Sequence, residues 1–295
     1  MNTTALLIGL GPLLGWGLYP TIVSKIGGKP VNQILGSTLG TLIFAIVFSM
    51  SQGIHFASGM NLFLGILSGI GWAAGQIVTF YCFSLIGSSK VMPITTAFQL
   101  LAASLWGVIA LGNWPGVSAK ILGGFSLILI IFGASLTVWS EKKTPASTDL
   151  LRKVVIFLAI GTIGYWGYSA APQASSLSGQ EAFLPQAIGM LLTALIYSIV
   201  VSFKEKSKMA IFESVSYKHI LSGFFFAFAA LTYLISAQPD MNGLATGFIL
   251  SQTSVVLATL TGIWFLNQRK TKKEMLLTLL GLLLIIIAAT ITVTI

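Results

Sequence analysis

Apolar residues run through this chain in blocks of about the ~20 residues that a helix needs to cross a bilayer, separated by short polar joints. Ten such blocks can be counted, at about 3–23, 32–51, 61–86, 90–111, 119–139, 153–173, 181–203, 218–238, 242–266 and 273–295. The pattern predicts an all-α integral membrane protein with ten transmembrane helices. The longest charged joint, Glu141 to Lys153, lies between the fifth and sixth blocks. The first block lacks a basic leader and an A-x-A cleavage site, so it is expected to be a retained span.

The blocks repeat. Gly11–Gly17 resembles Gly161–Gly167 and pairs Trp16 with Trp166. Gln33–Val47 matches Gln186–Val200, and Ile66–Gly69 matches Ile220–Gly223. The stretch Lys90–Asn113 is echoed by Asp240–Asn267, which pairs Gln99 with Gln252. The separations, 150 to 154 residues, keep one order along the chain. Five spans per half is an odd number, so the second half enters from the opposite side. That predicts a 5+5 inverted repeat, the usual plan of secondary transporters, with residues 1–140 as the first repeat, 141–152 as a cytoplasmic linker and 153–295 as the second repeat.

Charge sets the orientation. Of 16 Lys and Arg, 15 fall in odd-numbered joints and only Lys120 in an even one. By the positive-inside rule the odd joints are cytoplasmic and both termini face outward. Only 8% of residues are charged, 55% are hydrophobic and the mean hydropathy is +0.93, too apolar for a soluble domain. The isoelectric point near 9.7 reflects clustered basic loops rather than a nucleic-acid surface. One cysteine, Cys82, and two distant histidines, His55 and His219, offer no disulfide framework, metal cluster or nucleophile motif. No cofactor or metal is expected, and an enzyme is a poor fit.

The spans do hold amides and aromatics at depth. Gln76, Gln99 and Gln252 lie well inside their spans, where an unpaired amide costs several kcal/mol, so they should face the bundle interior or a wet cavity. Trp72 precedes Gln76 by four residues and shares its face. Trp16 and Trp166 also lie at depth, with Tyr165 and Tyr168 flanking the latter. These eight residues are the candidate substrate-binding set, since uncharged amides among aromatic rings suit a neutral polyhydroxylated ligand. Each has a plainer role: a buried glutamine can join helices, and Trp114, Trp139 and Trp264 read as interface anchors. Gln33 and Gln186, near span starts, read as solvated. No acid is buried mid-span, so a proton site would need a span-end acid, Asp240 or Glu181; Asp240 also reads as a helix cap. Gly36 with Gly40, and Gly71 with Gly75, would let helices approach closely.

The stretches LLIGLGPLLGWGLYPT from Leu6, KIGGKPVNQILGSTLGTLIF from Lys25, SGIGWAAGQIVTF from Ser68, MPITTAFQLLAASLWGVIALGNWPG from Met92 and YLISAQPDMNGLATGFILSQTSVVLATLTGI from Tyr233 carry a resemblance over essentially the whole chain. It resembles the glucose/ribose porter family of the drug/metabolite transporter superfamily, most of all its bacterial ribose-uptake members. That resemblance implies import of a monosaccharide across a bacterial plasma membrane, with protons as the coupling ion. Export of a neutral metabolite or drug on the same fold, and a non-transporting membrane role, are the other readings.

Overall fold

The structure is a computed structural model that describes residues 3–110, 112, 114, 116–142, 144–236, 241–242, 247 and 250–295. Among these, nine helical segments are long and apolar enough to cross a membrane, and a tenth, Leu250–Phe265, is apolar but shorter. The first span is broken at Leu10 into α1 (Thr3–Gly9) and α2 (Gly11–Ile26). Then follow α3 (Pro30–Ser51), α4 (Gly59–Ile86), α5 (Ser88–Ala110), α6 (Val117–Val138), α7 (Pro145–Gln173) and α8 (Gly179–Glu205). The eighth span is α9 (Ser214–Lys218) and α10 (Ile220–Ser236), broken at His219; α11 (Ser254–Phe265) and α12 (Lys272–Thr294) complete the chain.

The joints explain where helices begin. Pro12 and Pro30 sit in first turns, where a missing N–H costs nothing. Gly27 and Gly28, both near φ +80°, turn the chain from α2 into α3. Ser178 with Glu181, and Thr271 with Glu274, form reciprocal capping boxes at α8 and α12. Thr144 and Ser147 do the same for α7. That cap starts α7 at Pro145, eight residues before the expected span, so the linker read at 141–152 is largely helix. Its first turns carry Asp149, Arg152 and Lys153, all partly or fully exposed.

Helices of the first 140 residues pack chiefly on helices of the rest. α2 lies on α10 and α11, α3 on α8 and α10, α4 on α7 and α8, and α6 on α12. Glycines set the two closest crossings. A methyl group on Gly36 would overlap the Ser216 carbonyl and one on Gly223 the Ser37 carbonyl, where α3 meets α9 and α10. A methyl on Gly69 would overlap the Gln186 carbonyl and one on Gly189 the Ile66 carbonyl, where α4 meets α8. Gly71 and Gly75 lie the same way against Gly164 and Gly161 of α7. In lipid no hydrophobic drive joins helices, so such backbone approach supplies the packing.

Gln33 and Gln186 are buried, not solvated. Gln186 Nε2 donates to Ser68 Oγ at 3.1 Å, and Ser68 Oγ donates to the Tyr168 carbonyl at 2.7 Å. Trp114 is also buried; its Nε1 donates to the Thr292 carbonyl at 3.1 Å, closing α6 and α12 at one end rather than anchoring at a lipid surface. Large apolar side chains such as Phe132, Ile163 and Leu276 are more than half exposed, as a lipid-facing perimeter requires.

Candidate functional site

A cavity of about 100 Å³ opens between α2, α4, α5, α7, α10 and the residues leading into α11. The aromatic side is built first. Trp72 of α4 packs at a tilt on Phe226 of α10, with ring centroids 4.1 Å apart and 39° between the planes, and Trp16 and Tyr19 of α2 close on Phe226 at 6.2 and 5.7 Å. Pro20 also lines the cavity and cannot donate to the Trp16 carbonyl one turn back, which leaves backbone polarity at the same wall.

The polar side comes from α4, α5, α7 and the segment before α11. Tyr165 OH donates to Gln76 Oε1 at 2.8 Å and meets Thr79 Oγ1 at 2.9 Å. Thr95, Thr96 and Gln99 present one face of α5, with Gln99 Nε2 only loosely on Thr95 Oγ1 at 3.4 Å. Ser251, Gln252 and Ser254 face them, Gln252 Nε2 donating to Ser251 Oγ at 3.2 Å. Three buried polar atoms on residues lining the cavity have no hydrogen-bond partner among the described residues: Trp16 Nε1, Tyr19 OH and Tyr168 OH. A buried donor left unpaired costs about 1–3 kcal/mol, so each asks for a ligand or water. Carboxylates and ammonium groups are absent from the described lining.

Seven of the eight sequence-predicted residues line this one cavity: Gln76, Gln99, Gln252, Trp16, Trp72, Tyr165 and Tyr168. Trp166 does not. It is 38% exposed and stands edge-on to Trp106 at 4.9 Å, on the other side of α7. Glu181 is also elsewhere: its carboxylate accepts from the backbone N–H and hydroxyl of Ser178, both at 2.8 Å, so it serves as a cap. Asp240 lies outside the described residues. Tyr19, Thr79, Thr95, Thr96, Phe226, Ser251 and Ser254 were missed. Thr95 and Thr96 sit one helical turn before Gln99, a spacing that signals a shared face, and Phe226 follows Trp72 by the same 154 residues that separate Ile66 from Ile220.

The sequence model of the family described as sugar transport protein matches residues 7–295. The chain belongs to this sugar transport family. A protein of Lactiplantibacillus plantarum is 70% identical over 295 residues, covering the full length of both chains, and one of Enterococcus faecalis is 69% identical over 293 residues, 99% of each. Both carry the description "Putative ribose uptake protein RbsU". A solved structure described only as "Crystal structure of protein" superposes with TM-score 0.64 at 13% identity, covering 100% of this chain and 99% of its own, which shows a shared fold. As a member of the sugar transport family the protein is a multi-pass bacterial membrane transporter, not an enzyme.

Proposed function

We propose that the chain imports a monosaccharide, ribose ahead of glucose, by alternating access at the cavity between the two halves. The observation that carries this reading is the lining: uncharged amides, hydroxyls and aromatic rings contributed by both halves, with three buried donors unpaired among the described residues. Amides and hydroxyls match sugar hydroxyls, and ring faces match the C–H surface of a pyranose or furanose. The "ribose uptake" description of relatives near 70% identity points the same way.

The 5+5 inverted repeat supports the mechanism. Gln99 and Gln252 are repeat partners, and so are the paired close crossings, Gly36 with Gly189 and Gly69 with Gly223. A ligand near the pseudo-two-fold axis can be held by both halves while one rocks against the other. The charge distribution puts both termini outside.

Proton symport is the coupling implied by the resemblance, and Asp240 is its remaining candidate. One observation favours a second reading, a facilitator that moves sugar down its gradient: the described lining holds no titratable carboxylate. Labelled ribose and glucose uptake into proteoliposomes, with and without a pH gradient, tests both. Counterflow of ribose without any pH effect establishes the facilitator; a pH-driven gain that Asp240→Asn abolishes establishes symport. Absence of ribose counterflow, with efflux of another neutral solute, replaces import by export.

A further inference from the structure

A second cavity, about 470 Å³, opens at the end of the bundle where α4 hands over to α5 and α6 to α7. Lys90 at the start of α5 and Lys142 just past α6 line it, together with the hydroxyls of Ser140, Ser147 and Thr148. Among the described residues neither lysine is in an ion pair. Glu274, which reaches the rim through Ser140 Oγ, already accepts from that hydroxyl and from the backbone N–H groups of Glu141 and Thr271. The rest of the lining is apolar, from Leu85 to Leu151.

The cavity does not stop there. Val138 passes it into an apolar crevice with Ile94, Phe98 and Leu101 of α5 for its floor, Ile131 of α6 for one wall and Val155 of α7 for the other. A further hollow between Ile109 and Ile163 continues the same line. α6 turns away to pack on α12 and α7 to pack on α4, so the crevice between them faces the membrane. Lys90 to Leu101 is eleven residues, about 16 Å of helical rise, close to half of a ~30 Å hydrocarbon core.

We propose that this groove binds an anionic phospholipid of the adjoining leaflet, with the phosphate at Lys90 and Lys142 and one acyl chain laid along α5 between α6 and α7. The charge and the apolar continuation select the occupant. A free phosphate or sugar phosphate would use the lysines but leave the crevice empty; a zwitterionic lipid would fill the crevice without matching the lysines. The counterpart position to Lys90 in the second half is Gly243, so the sequence supplies this basic mouth once. The groove also bears on the sugar cavity, because α5 turns Ile94 and Phe98 to the crevice and Thr95, Thr96 and Gln99 to the cavity. Bound lipid would therefore hold the helix that carries Thr95, Thr96 and Gln99 of the polar lining.

Native mass spectrometry of the purified full chain, titrated with phosphatidylglycerol or phosphatidylcholine in mixed micelles, tests this without any sugar, so its outcome is independent of the transport reading. Wild type should prefer phosphatidylglycerol. Lys90→Gln/Lys142→Gln should weaken that lipid about 30-fold, at roughly fivefold per lysine near a membrane surface, and leave phosphatidylcholine unchanged. Lys90→Arg/Lys142→Arg should retain it, and Ser135→Trp, which fills the crevice from its exposed rim, should weaken it with both lysines present. Equal binding of the two lipids by wild type, or unchanged phosphatidylglycerol binding in the glutamine variant, overturns the proposal. So does displacement of the lipid by millimolar inorganic phosphate with no effect of Ser135→Trp, which makes this a free-anion site.

Discussion

Trp72 and Phe226 meet as tilted rings with centroids 4.1 Å apart and stand 154 residues apart in the chain. The same separation relates Gly69 to Gly223, so the central ring pair of the cavity joins positions that match each other in the two halves. The partners differ in kind: an indole faces a phenyl. The ring contact should couple the halves by about 0.5–1.5 kcal/mol beyond simple burial. A double-mutant cycle of Trp72→Leu and Phe226→Leu, read by thermal melting in detergent, measures it. Strict additivity would show that the rings merely fill space.

The glutamines should act on affinity. Losing a hydrogen bond to a neutral hydroxyl costs about 0.5–1.5 kcal/mol, so Gln99→Ala or Gln252→Ala should weaken ribose binding about 2- to 13-fold, and the double variant more than either. Calorimetry on monodisperse protein decides. Unchanged affinity in a well-folded double variant assigns both side chains to helix packing instead.

Orientation has a direct test. Ser147 and Ser58 are both exposed, one at the start of α7 and the other before α4. In a Cys82→Ala background, a cysteine at position 58 should react with an impermeant maleimide added to intact cells and one at 147 should not. The reverse pattern would invert the assigned topology.

Lys270 gives a pH signature outside the spans. Burial, reinforced by the charge of Lys90, lowers its ammonium from the usual 10.5 to about 8. Its Nζ still finds the Thr278 hydroxyl at 2.7 Å and the Thr137 carbonyl. Because the unfolded chain holds this proton more tightly, stability should rise with pH between about 8 and 10.5 and be flat in this group below 8. Melting temperatures of wild type and Lys270→Met across that range should show a slope in the first that is missing in the second.

The spans were legible because twenty apolar residues need little context to be read. Helix ends were not, because they depend on caps: Thr144 with Ser147 carries α7 two turns beyond the apolar block. The glutamines were legible for the same reason that they are rare, the cost of an amide in hydrocarbon. Trp166 was misassigned because depth along a helix says nothing of azimuth. Each residue turns about 100° around the axis, so Tyr165 and Tyr168 share a face that Trp166 does not. Phe226 escaped notice because a ring without a polar atom looks like any other apolar side chain until its partner is known.

The interleaved packing also fixes an order of events during synthesis. The glycine face of α3 is complete once Ser51 is made, yet α10, which covers it, begins 169 residues later at Ile220. At about 5–20 residues per second the wait is roughly 8–34 s. Through that interval α3 sits in lipid with its tightest contacts unmade, although α4 gains α7 and α8 earlier. The bundle therefore closes only after most of the chain has been inserted, and a ribosome that stalls before α10 leaves a set of spans that no partner in the nascent chain can complete.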